Sequence, residues 1–146
     1  MIIKQIEYNS LEYLKELDLR YKVLRKPLGL HYTQEQLKME INDFHFIALE
    51  KDNVVGCLLL RPLDKKRVQM RQVAVDDYSQ GKGIGRKLVE FCELFALEHQ
   101  FCEIVLHARD VAVPFYEKLG YIKVGDLFYE VTIPHYEMMK ILSHFE

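Results

Sequence analysis

The stretch from Met70 to Val89, "MRQVAVDDYSQGKGIGRKLV", holds the pattern on which the fold turns. A β-branched run ends at Val75. A tight polar turn follows, and Gly81, Gly83 and Gly85 then alternate with other residues up to the strongest helical pattern in the chain. The first N–H groups of a helix have no internal partners, and the aligned peptide dipoles add partial positive charge there. Glycines allow close approach to the main chain and the turn angles that point successive N–H groups the same way. Lys82, Arg86 and Lys87 add positive charge. This combination suits a phosphate or pyrophosphate. Taken alone, the turn reads equally well as a flexible helix entry.

The spacing excludes two common nucleotide loops. It is neither G-x-x-x-x-G-K-[ST] nor G-x-G-x-x-G, and Gly83 stands where a magnesium-binding hydroxyl would follow Lys82.

Outward from this segment the chain alternates between strand and helix patterns. Ile2–Tyr8 reads as a strand. Asn9 is placed to cap a helix over 10–25, with Glu12 completing the box and Leu11, Leu14, Leu17, Tyr21 and Leu24 as its apolar stripe. Thr33 and Gln36 signal a second capping box for a helix over 33–41. "FHFIALEKDNVVGCLLLRPL" reads as a hairpin turning at Asp52-Asn53. Strands are expected at 66–75 and 102–108. The main helix spans 83–99, with Ile84, Leu88, Phe91 and Phe95 on one stripe. Asp110 caps a short helix that carries Pro114 early and stops at Gly120. "YIKVGDL" and "HYEMMKIL" close the chain as strands. The expected fold class is α/β: one central mixed sheet of six to seven strands flanked by about four helices.

Bulk properties narrow the function. The 146 residues suffice for one domain with a sizeable core, and 49% of them are hydrophobic. Twenty basic residues against 22 acidic ones argue against nucleic acid as a partner. Cys57, Cys92 and Cys102 show neither zinc spacing nor an even disulfide count, so reduced thiols in a cytoplasmic protein and no metal site are expected. The opening residues lack the features of a secretory leader, and no apolar run is long enough to cross a bilayer, so no membrane role is expected.

Two segments together resemble the GNAT superfamily of N-acetyltransferases. The first is the quoted stretch, where Gln80, Gly83 and Gly85 fill the marked positions of Q/R-x-x-G-x-G/A. The second, some thirty residues on, is "AVPFYEKLGY" (Ala112–Tyr121), similar to that family's "FYEKLGF" helix. The resemblance covers residues 66–125. It implies a single N-acetyltransferase domain over 1–146, with a sheet splayed between the strands at 66–75 and 102–108. It also implies acetyl-CoA as co-substrate and an amine as acceptor.

The resemblance further implies roles for individual residues. The pyrophosphate would sit at Gln80, Gly81, Lys82, Gly83, Ile84, Gly85 and Arg86. The pantetheine arm would pair with Val73, Ala74 and Val75 as an added strand. A strand N–H near Val73 would serve as oxyanion hole. Tyr116 is the expected general acid: a phenol near pKa ~10 and a thiol near ~8.5 are close enough for proton transfer. A buried aromatic with a satisfied hydroxyl is the competing reading for it. Many family members carry an acid where this chain has Arg71, which cannot act as a base. The job then falls elsewhere, to a water chain or to His107 near the end of the second strand, with Glu130 and His135 of the closing segment as further candidates. Arg109 is a candidate for cofactor binding. Arg25, Tyr32 and Arg71, with Arg20, Tyr21, Lys26 and His31 near them in sequence, are candidates for holding an acidic acceptor group. The expected acceptor is a small-molecule primary amine. A protein amine, or a non-catalytic acyl-CoA-binding regulatory domain, is the rival, and a homodimer is left open.

Overall fold

The computed structural model describes residues 1–142. Seven strands form one mixed sheet in the order β1-β2-β3-β4-β5-β7-β6: β1 Ile2–Ile6, β2 Phe44–Glu50, β3 Asn53–Pro62, β4 Arg67–Val75, β5 Glu103–Arg109, β6 Ile122–Glu130 and β7 Ile133–Ile141. β4 runs parallel to β5, whereas β1–β2, β2–β3, β5–β7 and β6–β7 are antiparallel. Four α-helices are described: α1 Leu11–Arg20, α2 Gln34–Lys38, α3 Ile84–Glu98 and α4 Val113–Lys118. This is the α/β sheet-and-helix count that the sequence pattern predicts.

The chain forms two compact units, each discontinuous in sequence. The first holds 1–61 and 71–92, and the second holds 62–70 and 93–146. In the first unit β2 and β3 are buried almost without interruption, as expected of strands covered on both faces. Ile47 and Cys57 pack with Tyr13 and Leu19 of α1. On the opposite face Phe46 meets Phe91 of α3, ring centroids 5.9 Å apart. Gly56 lets α3 come close: a Cβ there would lie 2.8 Å from Leu88 Cδ1 and 3.0 Å from Ile84 Cγ2. In the second unit Glu93 of α3 accepts from the Tyr121 hydroxyl at 2.9 Å and from Lys140 Nζ at 3.1 Å, tying α3 to the end of α4 and to β7.

Local expectations hold in part. The Thr33–Gln36 capping box is present on α2, though α2 itself is short. Gly120 ends the fourth helix with φ +96°. Other readings change. Asp110 opens a single tight turn rather than capping a helix, and the fourth helix begins at Val113 with no side-chain cap. Ser10 is the cap of α1, its hydroxyl accepting from Tyr13 N–H at 3.1 Å, while Asn9 takes a left-handed turn before it (φ +62°). The hairpin turns on Lys51 and Asp52, both left-handed, one residue earlier than Asp52-Asn53. The expected 10–25 helix is α-helical only to Arg20, then widens to a π-turn over Tyr21–Arg25. The stripe assigned to it also shifts: Leu11 and Leu14 are exposed, whereas Tyr13, Glu16, Leu19 and Arg20 are buried. On α3 the buried stripe runs Ile84, Leu88, Val89, Cys92 and Ala96, and Phe91 sits at its edge.

Candidate active site

The glycine turn lies in the first unit. After β4, Asp77–Ser79 make one tight helical turn, with Ser79 N–H bonded to Asp76 O at 2.8 Å. Gly81 and Gly83 then take φ +84° and +77°, and a Cβ on Gly81 would meet nothing within 4 Å. The first bond closing the α3 entry runs from Lys87 N–H to Gly83 O at 3.1 Å. Among the described residues, no backbone acceptor takes the N–H groups of Gly81 to Arg86. Lys82 and Arg86 are exposed beside them. The exposed Gln80 side chain instead donates from its amide to Val75 O and to Asp77 Oδ1, both at 3.2 Å, so it braces the turn.

β4 carries the second feature. Its parallel ladder with β5 covers Arg67–Met70 against Glu103–Leu106 and goes no further. The strand then passes through Gln72, which takes φ +54°. A non-glycine residue there costs energy and persists only where its surroundings hold it. Gln72 is held at both ends. Its carbonyl accepts from Cys57 Sγ at 3.4 Å, and its side-chain oxygen accepts from the Tyr32 hydroxyl at 2.7 Å. Burial pushes the Cys57 thiol well up, so it stays a protonated donor. The Tyr32 ring is in turn flanked by the guanidinia of Arg20 and Arg25, 4.7 and 4.5 Å from its centroid. The main chain of Val73, Ala74 and Val75 follows this kink, and Arg71 precedes it, half-buried. Arg25, Tyr32 and the 71–75 segment are thus brought together.

Arg20 is not available to an acceptor. Its guanidinium, fully buried, donates to Glu16 Oε2 at 2.9 Å and to Glu40 Oε1 and Oε2 at 2.8 and 2.6 Å. The Tyr13 hydroxyl also donates to Glu40, at 2.9 Å. Burial pushes the Glu40 carboxyl up, but the Arg20 bonds and charge outweigh it and hold the group below its usual range. Glu16, Glu40 and His45 present metal-ligand atoms within 4.8 Å of one another. The guanidinium already bridges the two carboxylates, so the residues do not fit a cation. His45 Nε2 donates to Glu40 O at 2.9 Å, and its Nδ1 faces Glu16 Oε1 at 3.7 Å, too long for a hydrogen bond but close for two charges. Two carboxylates and one guanidinium sum to −1, and a protonated His45 balances them. Burial lowers the His45 pKa, but the carboxylates and the Glu40 carbonyl outweigh burial and raise it. Sequence reasoning missed this cluster because charged residues at helical spacing look like a solvated face.

The remaining candidates lie in the second unit. Tyr116, on α4, is 7% exposed, and burial raises its pKa, so its phenol remains a donor at neutral pH. Its ring packs edge-on against Phe115 and Tyr121. His107 near the end of β5 and His135 on β7 both approach Glu130, with His107 Nδ1 3.0 Å from Glu130 Oε1. Arg109 pairs with His135 across the β5–β7 ladder.

Comparison with known proteins decides the family. The model of the acetyltransferase (GNAT) domain matches residues 18–142. The chain belongs to the GNAT acetyltransferase family. Among GNAT relatives, it is 26% identical over 140 residues to the uncharacterized N-acetyltransferase YjcF of Bacillus subtilis (strain 168), covering 94% of this chain and 99% of that one. It is 30% identical over 100 residues to human N-acetyltransferase 8B, covering 63% of this chain and 44% of that protein. The chain thus spans under half the length of the mammalian relatives it matches. Its fold is that of solved GNAT-type structures. An aminoglycoside 6'-N-acetyltransferase complexed with coenzyme A has a TM-score of 0.83 at 20% identity, covering 100% and 99% of the two chains. Escherichia coli ElaA has 0.83 at 19%, covering 96% and 99%. Within this GNAT chain the Gln72 kink is the feature no sequence signal marks, because glutamine has no preference for left-handed backbone.

Proposed function

We propose that the chain transfers an acetyl group from acetyl-CoA to a primary amine of a small molecule. The observation that carries this reading is the run of unspent N–H groups from Gly81 to Arg86 at the head of α3, bared by two left-handed glycines. A diphosphate is the ligand such a row of donors suits. Coenzyme A supplies one, and the GNAT-type aminoglycoside acetyltransferase of the same fold was solved with it. Lys82 and Arg86 add mobile charge to the same site, and Arg109 is a further candidate contact for the cofactor. The pantetheine amides pair with Val73–Val75, where β4 has left the β5 ladder.

Chemistry follows from this placement. The amine nitrogen attacks the thioester carbonyl carbon, and the developing oxyanion takes the Val73 N–H, which the Gln72 kink orients. The C–S bond breaks, and the Tyr116 hydroxyl gives its proton to the leaving thiolate. His107 Nε2 takes the proton that the amine loses. No acid stands at Arg71, so the base is supplied from elsewhere, and His107 is the residue with the right lone pair. The test is a free-thiol assay with acetyl-CoA over a panel of primary amines, paired with calorimetric titration of CoA. Amine-dependent thiol release is expected. CoA binding without release on any amine would assign the chain to a sensor rather than an enzyme.

A further inference from the structure

Cys57 is fully buried on β3, and its thiol donates to the Gln72 carbonyl, 3.4 Å from Sγ. That carbonyl belongs to the peptide joining Gln72 to Val73. The peptide is trans and planar, so its oxygen and its N–H point in opposite directions. A thiol that fixes the oxygen therefore fixes the direction of the Val73 N–H. The Ala74 N–H acts on the same sulfur, so Cys57 meets the backbone on both sides of Val73. Burial pushes the thiol pKa well up, which keeps the hydrogen that the Gln72 carbonyl needs.

A second handle acts through the side chain of Gln72. The Tyr32 hydroxyl donates to its Oε1 at 2.7 Å, and the guanidinia of Arg20 and Arg25 flank the Tyr32 ring. Arg20 is buried and tied to Glu16 and Glu40, so the ring rests on a fixed charge. Gln72 depends on both handles. At φ +54° a residue with a Cβ is unfavourable, and once released it would relax toward extended backbone. That relaxation turns the Gln72–Val73 peptide, and its N–H with it. Tyr32, Cys57 and Gln72 to Ala74 all belong to the first unit.

We propose that Cys57 and Tyr32 are positioning residues for acyl transfer: thiol and hydroxyl together clamp the Gln72–Val73 peptide so that the Val73 N–H meets the oxyanion. This rests on the acetyl-transfer reading, in which that N–H is the oxyanion donor. Neither side chain is required to touch the reacting atoms. A donor aimed in advance at developing charge acts without reorganising, and a small misplacement weakens it steeply. The clamp therefore acts on the transition state. The diphosphate of CoA is held elsewhere, at the head of α3, so CoA affinity does not depend on it.

The test compares Cys57→Ala, Cys57→Ser and Tyr32→Phe with wild type in the full chain. Thiol release from acetyl-CoA is followed over the primary-amine panel, and CoA is titrated by calorimetry. C57A and Y32F should each lower kcat about tenfold or more with the CoA dissociation constant kept. C57S restores a donor and should recover part of the loss. A packing role predicts the reverse order, because a buried hydroxyl without a partner is costlier than a methyl group. Serine no more active than alanine, or kcat unchanged in C57A and Y32F, overturns the proposal. The three-bond HN–Hα coupling of Gln72, read by NMR, reports its φ without any turnover. It should rise toward the extended-strand value in C57A and in Y32F, and an unchanged coupling in both overturns the clamp. Y32F, at a half-buried site, decides if C57A folds poorly. Wild-type thiol release that both variants retain in full would remove the clamp and keep the transferase reading. No release from wild type on any amine, with a coupling that rises in the variants, would keep the clamp on the backbone and remove the transferase.

Discussion

At Gly83 the backbone sits at φ +77°, a region that a β-branched residue avoids. A Cβ there would meet protein only at Arg86, 3.8 Å away, so the space in front of it is open. Gly83→Val should both strain the turn and fill that space, and CoA titration should show its dissociation constant raised about tenfold or more. Unchanged affinity would detach the diphosphate from this turn. Tyr116→Phe removes one hydroxyl from a buried ring. Turnover in the thiol assay should fall about 10²-fold with CoA affinity kept, and full activity would remove Tyr116 from the chemistry. Residues of this kind are legible in sequence when their type advertises their geometry. Alternating glycines announce left-handed backbone, and Thr33 with Gln36 announces a cap. Gln72 announces nothing, because its strain is imposed by Tyr32 and Cys57, residues far off in the chain.

The misread face of α1 shows the same limit at the scale of the element. Leucines at helical spacing argue for a stripe through Leu11 and Leu14, yet the buried stripe carries Tyr13, Glu16 and Arg20. Hydropathy scores such charges as solvated. Here Arg20 is paired with Glu16 and with Glu40 beyond α2, and Glu16 faces His45 at the start of β2, neighbours that only the fold supplies. The cluster ties stability to pH in a defined direction. The groups facing His45 are Glu16 of α1, the Glu40 segment and the rings of Tyr8 and Tyr13. Its folded pKa lies above the ordinary 6.5, so its contribution is complete below that pH and lost as pH rises through the folded value. Glu40 lies below the ordinary 4.5, so its contribution is present above that pH and lost as pH falls. Urea unfolding across pH 4 to 9 should show greatest stability between about 4.5 and 6.5 and a decline on the alkaline side. His45→Asn should flatten that decline. A wild-type curve level from about pH 6 to 8 would mean that His45 is neutral in the fold.

For the molecule as a whole, element order was readable because each strand and helix carries its own period, and seven strands with four helices follow from counting them. The division into two compact units was not readable, because β4 and α3 each pass from one unit to the other within an unbroken pattern, at Met70–Arg71 and Cys92–Glu93. Arg25, Tyr32 and Gln72 gather in the first unit, and His107, Glu130 and His135 gather in the second, from positions too far apart in sequence for any motif to join them. Family membership rests on residues 18–142, and the proposed activity rests on the unspent N–H groups at the head of α3. A crystal structure of the chain with acetyl-CoA tests that most directly. The diphosphate should lie within hydrogen-bond distance of N–H groups between Gly81 and Arg86, with the pantetheine arm along Val73–Val75. A fully ordered cofactor whose diphosphate touches none of those amides would contradict the account.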